Sequence, residues 1–443
     1  MSNAPAPPTI AVVGTGYVGL TTGACLAHLG LRVVCADIDA AKVERLRAGE
    51  IPIVEEGLEQ IVHDAVAAGN LSFVVGAASA VPAAEFVFLC VPTPQDDDGS
   101  ADLSYLAAAA AEIGPVLQPG SVVINKSTVP VGSTLVVERV MQRPDVSVVS
   151  NPEFLREGTA VHDFLNPDRV VIGCDDRAAA ERVGALYAPL DAPVLITDAA
   201  SAETIKYAAN GFLAMKISFV NAVAAMCEAV GADVESVVAG IGSDRRIGSQ
   251  FLRPGPGWGG SCFPKDTRAL VAIAAQHGYD FSMMRGVVSV NDEQHERMVR
   301  KVANAVGRTV AGYRPLEGVR VGALGLTFKA GTDDLRESPS LAILRRLGAL
   351  GAEVTAYDPT AAGALDGVQT VRLAGIDTAP DALAALADAD VAVVLTEWPE
   401  FADLDLPAVA AAMRGAAVVD TRNLLDPAQV RAAGLTYDGV GRR

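Results

Sequence analysis

The chain has 443 residues, half of them hydrophobic, and its 53 acidic against 35 basic side chains leave a formal net charge of -18. That length exceeds one ordinary core, so two or three domains are expected. The negative balance argues against non-specific nucleic-acid or anionic-membrane binding, and an anionic small substrate would need a local basic cluster set against the overall field.

Six cysteines are scattered, mostly inside apolar runs, with no Cys-x-x-Cys pair, which is the usage of a reduced cytoplasmic protein without a metal site. Met1 to Thr9 has no basic region ahead of an apolar core, and no apolar run is expected to reach transmembrane length. A short β-rich run, Ile10 to Val13, leads into Gly14-Thr15-Gly16-Tyr17-Val18-Gly19, then a helical pattern to Gly30 and a second strand, Arg32 to Ala36, ending at Asp37. This is the order of a dinucleotide-binding βαβ unit: Gly14 makes the turn, Gly16 lets a pyrophosphate approach the helix N-terminus, and Gly19 permits close helix-strand packing. Asp37 would hold a ribose 2′-hydroxyl and repel a 2′-phosphate, which favours NAD over NADP, and Lys42 is placed to reach the same adenosine end.

Buried-strand patterns recur at Glu85 to Val91, Ser121 to Asn125 and Val146 to Ser150, with a helix near Leu103 to Leu117 between the first two. Strands alternating with helices imply a parallel sheet whose ligands bind beyond the strand C-termini, where Thr93, Ser127 and Thr128 fall. Ordinary capping of turns and helices is the competing role for these hydroxyls. After the third strand comes Asn151-Pro152-Glu153-Phe154-Leu155-Arg156-Glu157-Gly158. Its two carboxylates four apart can share a site, one as general base, or form a solvated turn with Glu157 paired to Arg156.

Ser201 to Gly231 reads as one long helix without proline, apolar almost all round, a spine between domains and a candidate dimer interface. Lys206 and Asn210 lie one turn apart on it, able to stabilise an oxyanion if they face a ligand. Ser243 to Gly248 brings Arg245 and Arg246, which with Arg253 begin the basic cluster that an anionic substrate needs. Phe251 to Asp266 then packs four glycines and three prolines around Cys262 and ends where a helical pattern begins. Backbone that passes close to a ligand favours residues without a Cβ, so this stretch reads as an active-site loop, with a buried inert cysteine as the competing reading. Cys262 would sit at a helix N-terminus, where dipole and free amides favour the thiolate, with Asp266 four residues on as a nearby base.

From Val319 the early pattern returns: a strand to Leu324, a loop Gly325 to Ser338, a helix from Pro339 to Leu350 and a strand Glu353 to Tyr357 ending at Asp358. Phe328-Lys329 suits stacking on a base or sugar with a phosphate contact, and Arg336 can reach phosphate as well. Strands Val391 to Leu395 and Ala416 to Val419 follow, the latter leading to Arg422. The fold expected is α/β, two Rossmann-like doubly wound domains joined by a long central helix with Cys262 between two nucleotide sites. The division expected is 1–200, 201–312 and 313–443.

Together these segments resemble the nucleotide-sugar dehydrogenases, the UDP-glucose/GDP-mannose dehydrogenase family, from about Ile10 to Arg422. The most specific motifs are Asn151 to Gly158, Glu203 to Asn210, Gly257 to Asp266 and Gly325 to Ser338. The resemblance implies an NAD-dependent four-electron oxidation of a sugar alcohol through a Cys262 thiohemiacetal and thioester. It implies Lys206 and Asn210 as the polarising pair, Asp266 as a base, and Glu157 with Thr128 as holders of water. It further implies Gly14, Gly16, Tyr17, Val18, Gly19, Asp37, Lys42, Thr93, Thr128, Glu157, Lys265 and Arg336 on the cofactor side. On the UDP-sugar side it implies Glu153, Phe154, Leu155, Glu157, Lys206, Asn210, Phe251, Arg253, Gly259, Phe328, Lys329 and Arg422. Arg246 is expected from the partner subunit of a homodimer, and no metal, nucleic acid or membrane is implied. The run Arg156 to Ala160 with Pro167 to Gly173 looks like the UDP-glucose branch; UDP-N-acetylmannosamine and GDP-mannose branches share the cysteine chemistry. One departure stands out, Glu55-Glu56-Gly57-Leu58 where the family has Glu-Pro-Gly-Leu, and it is expected to loosen a loop near the adenosine side.

Overall fold

The computed structural model describes residues 8–95, 101–360 and 373–442. They gather into two compact units, Met1–Ala209 with Arg268–Gly278, and Asn210–Thr267 with Tyr279–Arg443.

The first unit is built on eight strands: β1 Thr9–Val13, β2 Arg32–Asp37, β3 Leu71–Val75, β4 Phe86–Leu89, β5 Val122–Asn125, β6 Ser147–Ser150, β7 Val170–Gly173 and β8 Val194–Thr197. Their order in the sheet is β3-β2-β1-β4-β5-β6-β7-β8. The first six follow the doubly wound order, in which the chain reverses beside β1 and opens a crevice beyond the strand ends. All neighbours run parallel except β6 and β7, which meet antiparallel through Ser150 and Gly173. Ile10, Val12, Phe86 and Phe88 enter one apolar cluster, while Ala11, Val13, Val87 and Leu89 enter another. Both faces of the sheet are therefore covered, which is why these strands read as unbroken apolar runs rather than alternating ones.

The second unit repeats the plan with β9 Arg320–Leu324, β10 Glu353–Tyr357, β11 Asp377–Thr378, β12 Val391–Val394, β13 Ala417–Asp420 and β14 Thr436–Gly439. Its order, β11-β10-β9-β12-β13-β14, is the same doubly wound arrangement and is parallel throughout. The repeat extends to the turn after the first strand of each unit. Gly14 and Gly325 have φ of +95° and +97°, the left-handed region glycine tolerates. A Cβ on Gly14 would stand 2.4 Å from the Cys90 carbonyl oxygen, and one on Gly325 would stand 2.3 Å from Thr396 Cβ. Each turn donates N–H to an acid at the C-terminal end of the second strand, Thr15 to Asp37, the last residue of β2, and Leu326 to Asp358, the residue after β10.

The long helix runs Ala199–Val230, 32 residues. By length and composition it is apolar enough to cross a membrane, contrary to the expectation that no run would be, because its polar residues are few and spaced singly. Glu203, Lys206, Asn210, Ser218 and Asn221 are buried on it, and each side chain bonds protein. These bonds satisfy the buried polar atoms of the helix, Asn221 Nδ2 excepted. The helix after Cys262 begins at Phe263 and continues to Gln276, so the first turn forms on Pro264 as its fixed φ allows.

Candidate active site

In the first unit the glycine turn is shaped for close approach. A Cβ on Gly19 would collide with the Gly14 carbonyl oxygen at 1.9 Å, whereas one on Gly16 would meet nothing within 4 Å. The helix N-terminus at Tyr17 is thus open on the side where backbone amides can receive a pyrophosphate, and the residues fit a dinucleotide. Asp37 accepts from Thr15 N and Oγ1, Asp39 N and Lys42 Nζ, at 3.0, 2.5, 3.1 and 3.1 Å. Burial pushes its carboxyl up, but these donors win and hold it at about 2. Thr93 Oγ1 donates to the Thr128 carbonyl at 2.9 Å, which ties two of the expected cofactor-side residues together.

The strand ends of this unit converge on the start of the long helix. Glu203 accepts from Gly132 N, Thr134 N and Thr134 Oγ1 and so fixes the segment after β5 that carries Thr128. One turn further on, Lys206 Nζ donates to the Glu153 carbonyl at 2.6 Å and to Glu153 Oε1 at 2.8 Å, fixing the segment after β6. Glu153 Oε2 accepts Leu155 N at 2.6 Å, and the cations of Arg169 and Lys206 lie 3.7 and 5.5 Å from the centroid of the Phe154 ring. Lys126, also buried, donates to Asn151 Oδ1 at 3.1 Å, and its own burial pulls its ammonium down to about 8 despite the Glu153 charge. Glu157 is half-buried. Arg156 does not pair with it; its guanidinium and backbone N–H go to Asp163.

Glu55 is the contact that sequence reasoning missed. Its buried carboxylate accepts from Tyr17 Oη, from Gly158 N at 2.7 Å and from Ala160 N at 2.6 Å. It thereby links the glycine-turn helix to the residue following Glu157. The Glu-Glu-Gly-Leu motif was the signal at hand, but its partners lie 38 residues earlier and 103 and 105 residues later.

The second unit holds the cysteine loop. Cys262 is partly exposed, immediately ahead of the helix Phe263–Gln276, with Ser261 Oγ 3.5 Å from its sulfur. Asp266 donates its N–H to the Cys262 carbonyl at 2.9 Å and is fully buried. Its carboxylate accepts from Asn210 Nδ2 and Lys265 Nζ, each at 2.6 Å. The loop lies on the C-terminal strand ends: a Cβ on Gly260 would stand 2.8 Å from the Phe328 ring, and one on Gly259 would stand 2.1 Å from the Glu337 carbonyl oxygen. Arg422 donates to the carbonyls of Phe328 and Leu395, both at 2.8 Å, and pairs with Glu397 at 3.1 Å. Phe251 adopts a left-handed φ of +61°, an unusual conformation for an aromatic residue, and its ring lies 6.4 Å from that of Phe263. Arg336 pairs with Asp334 at 2.8 Å, and Arg246 is exposed and paired with Asp244 at 2.6 Å. Arg253 is exposed, and Lys329 Nζ lies 5.5 Å from the centre of its neighbour's ring. Lys206 and Asn210 are thus each bonded to a carboxylate, Glu153 and Asp266, rather than aligned as a free pair.

A dinucleotide turn on one Rossmann sheet, a second such sheet, and a thiol loop against its strand ends define an NAD-dependent oxidoreductase of the two-sheet, cysteine-bearing class. Three models of the UDP-glucose/GDP-mannose dehydrogenase family match the chain: the NAD binding domain over residues 8–191, the central domain over 200–293 and the UDP binding domain over 322–427. UDP-glucose 6-dehydrogenase of Rhizobium meliloti (strain 1021) is 46% identical, covering 98% of this chain and 99% of that protein. UDP-glucose 6-dehydrogenase TuaD of Bacillus subtilis (strain 168) is 44% identical, covering 98% and 93%. Among solved structures, a UDP-glucose dehydrogenase from the archaeon Pyrobaculum islandicum superposes with a TM-score of 0.87 at 37% identity, covering 100% of both chains. The UDP-D-ManNAc dehydrogenase of Pyrococcus horikoshii superposes at 0.84 with 26% identity, covering 98% and 99%. The chain belongs to the UDP-glucose/GDP-mannose dehydrogenase family.

Proposed function

We propose that this chain oxidises UDP-glucose to UDP-glucuronate with NAD, through a thioester on Cys262. The observation that carries the reading is the position of Cys262: the thiol heads a helix in the unit whose strand ends carry Phe328 and Arg422, and its loop lies against the Phe328 ring. Two molecules of NAD, bound in turn, would supply the hydride acceptors, one for each oxidation.

The remaining chemistry belongs to the chain. Lys206, fixed by Glu153, polarises the C6 oxygen of the sugar while its hydroxyl proton passes to the water held by Thr128 and Glu157, and Asn210 supports the charge that builds there. Cys262 adds its sulfur to the C6 aldehyde, the thiol proton passing to the aldehyde oxygen by way of Asp266 as base. The thiohemiacetal is oxidised to the thioester, and water held by Thr128 and Glu157 breaks the carbon–sulfur bond to give the acid and restore the thiol. Arg253, Phe328, Lys329 and Arg422 serve the UDP-sugar, with Phe154, Leu155, Phe251 and Gly259 shaping its site. Arg336 and Lys265 belong to the cofactor side with the glycine-turn residues. The division into 1–200, 201–312 and 313–443 then corresponds to cofactor, spine and nucleotide-sugar functions.

The enzyme works as a homodimer in the cytoplasm. On the long helix Phe212, Phe219 and Met226 recur every seventh residue and are 58, 55 and 55% exposed, an apolar stripe of the kind a second helix covers. All six thiols are free, as in a reducing compartment.

The test is to incubate the protein with NAD and, separately, UDP-glucose, GDP-mannose and UDP-N-acetylmannosamine. Two NADH per UDP-glucose are expected, with Cys262→Ala making no acid while still binding NAD. One NADH with aldehyde released would refute the thioester route, and a better yield from another sugar would move the substrate within the family.

A further inference from the structure

The cysteine loop is too rich in proline and glycine to form helix or sheet, yet Gly255 to Gly260 are buried, so their backbone groups need partners from elsewhere. Side chains of two helices supply them. Asn291, buried in the middle of Ser282–Ala305, accepts Trp258 N at 2.8 Å on its Oδ1 and donates Nδ2 to the Trp258 carbonyl at 3.0 Å. Gln294 Nε2 donates to the Gly255 carbonyl at 2.6 Å, and Gly255 N donates to Asn221 Oδ1 at 2.8 Å. The Trp258 indole N–H is taken by Ser218 Oγ at 2.9 Å. A primary amide presents donor and acceptor in one plane, as a peptide does, so Asn291 takes the place that a neighbouring strand would fill.

The geometry points to Asn291 as a positioning residue for Cys262, its amide setting the Trp258 backbone and, through the three residues between, the place of the thiol. The link is short and has no slack. Gly257, at a φ of +128°, leaves no room for a Cβ, which would stand 2.8 Å from both Asn291 Oδ1 and His295 Nε2. His295 is kept neutral there, burial and the nearby Arg346 charge pulling it down to about 4. Beyond Trp258, Gly259 and Gly260 are confined by Glu337 and Phe328 as already described. A shift at Trp258 is therefore passed to Cys262 rather than absorbed. The inference rests on the thiol role proposed above.

The test uses full-length Asn291→Leu, which keeps the volume and loses both bonds, and Asn291→Asp, which keeps an acceptor for Trp258 N and loses the donor. Among the six cysteines only Cys174 and Cys262 are partly exposed and the rest are buried, so alkylation by iodoacetamide, read residue by residue by mass spectrometry, carries its own internal control. The expected result is a several-fold change in the Cys262 rate with Cys174 unchanged in N291L, and a smaller change in N291D. NADH per sugar should fall from two toward one as aldehyde escapes before the second oxidation. An unchanged Cys262 rate in both variants overturns the inference, and so does a joint rise at Cys174 and Cys262, which would mean general loosening. If N291L does not fold, N291D decides by the same two readouts. Should the unaltered protein yield no NADH with any sugar nucleotide, the functional reading fails, while the alkylation contrast still decides whether Asn291 places the thiol.

Discussion

Glu153 and Lys206 form an ion pair whose side chains are 3 and 4% exposed. Burial alone would push the Glu153 carboxyl up, but the Lys206 ammonium and the Leu155 N–H hold it below the ordinary carboxylate range. A carboxyl lowered in this way contributes stability above its unfolded pKa, about 4.3, and that contribution disappears as the pH falls through the folded value. Glu153→Gln keeps the shape and strips Lys206 of its counter-charge, so it should destabilise the protein by about 3 kcal/mol at neutral pH. In urea unfolding series the gap from wild type should narrow below about pH 4.5, since the unfolded carboxyl then takes up its proton before the native one does and the contribution is gone once the pH has fallen through the folded value. A gap that persists at acid pH would assign the loss to packing. Lys206, Asn210 and Asp266 were individually legible from motif spacing. Their bonding was not, because the carboxylates that hold Lys206 and Asn210 lie 53 and 56 residues away in the chain, and spacing along a helix records only neighbours on that helix.

The departure at Glu56 can be understood as a turn. Leu58 N donates to the Glu55 carbonyl at 3.2 Å, and Gly57 at φ 78° and ψ -9° has the conformation of the third residue of a type II turn. Glu56 is the second residue, where proline is favoured, and it is exposed. Its neighbour Glu55 anchors the turn through its carboxylate. Glu56→Pro should raise stability by roughly 0.4–1 kcal/mol through the unfolded chain, measured by urea unfolding, with the KM for NAD unchanged. A several-fold fall in that KM would support the loosened-loop account. Elements with strong local signatures were readable at this scale: the glycine turns by their spacing, β4, β5 and β12 by short apolar runs, and the long helix by its length without proline. β11 and β14 gave no such signal. β11 has two residues and β14 includes Asp438 and Gly439, so each owes its existence to a neighbour's ladder rather than to its own composition.

The whole molecule carries a net charge of -18, yet its proposed substrate is an anion, so the cations that meet it must be concentrated locally. Arg253, Lys329 and Arg422 belong to one unit, while the Arg246 side chain is 88% exposed and pairs with Asp244. The apolar stripe of Phe212, Phe219 and Met226 lies on the same unit's stretch of the long helix. If that stripe pairs two copies about a twofold axis, each Arg246 can serve the other's site. Arg246→Ala and Cys262→Ala would each be inactive alone. Co-expressed, half of the dimers would be mixed, and in each of these one site would combine the intact Cys262 of one chain with the intact Arg246 of the other, so activity should return to about a quarter of wild type. Were Arg246 to act within its own chain, neither site of a mixed dimer would be complete and the mixture would stay silent.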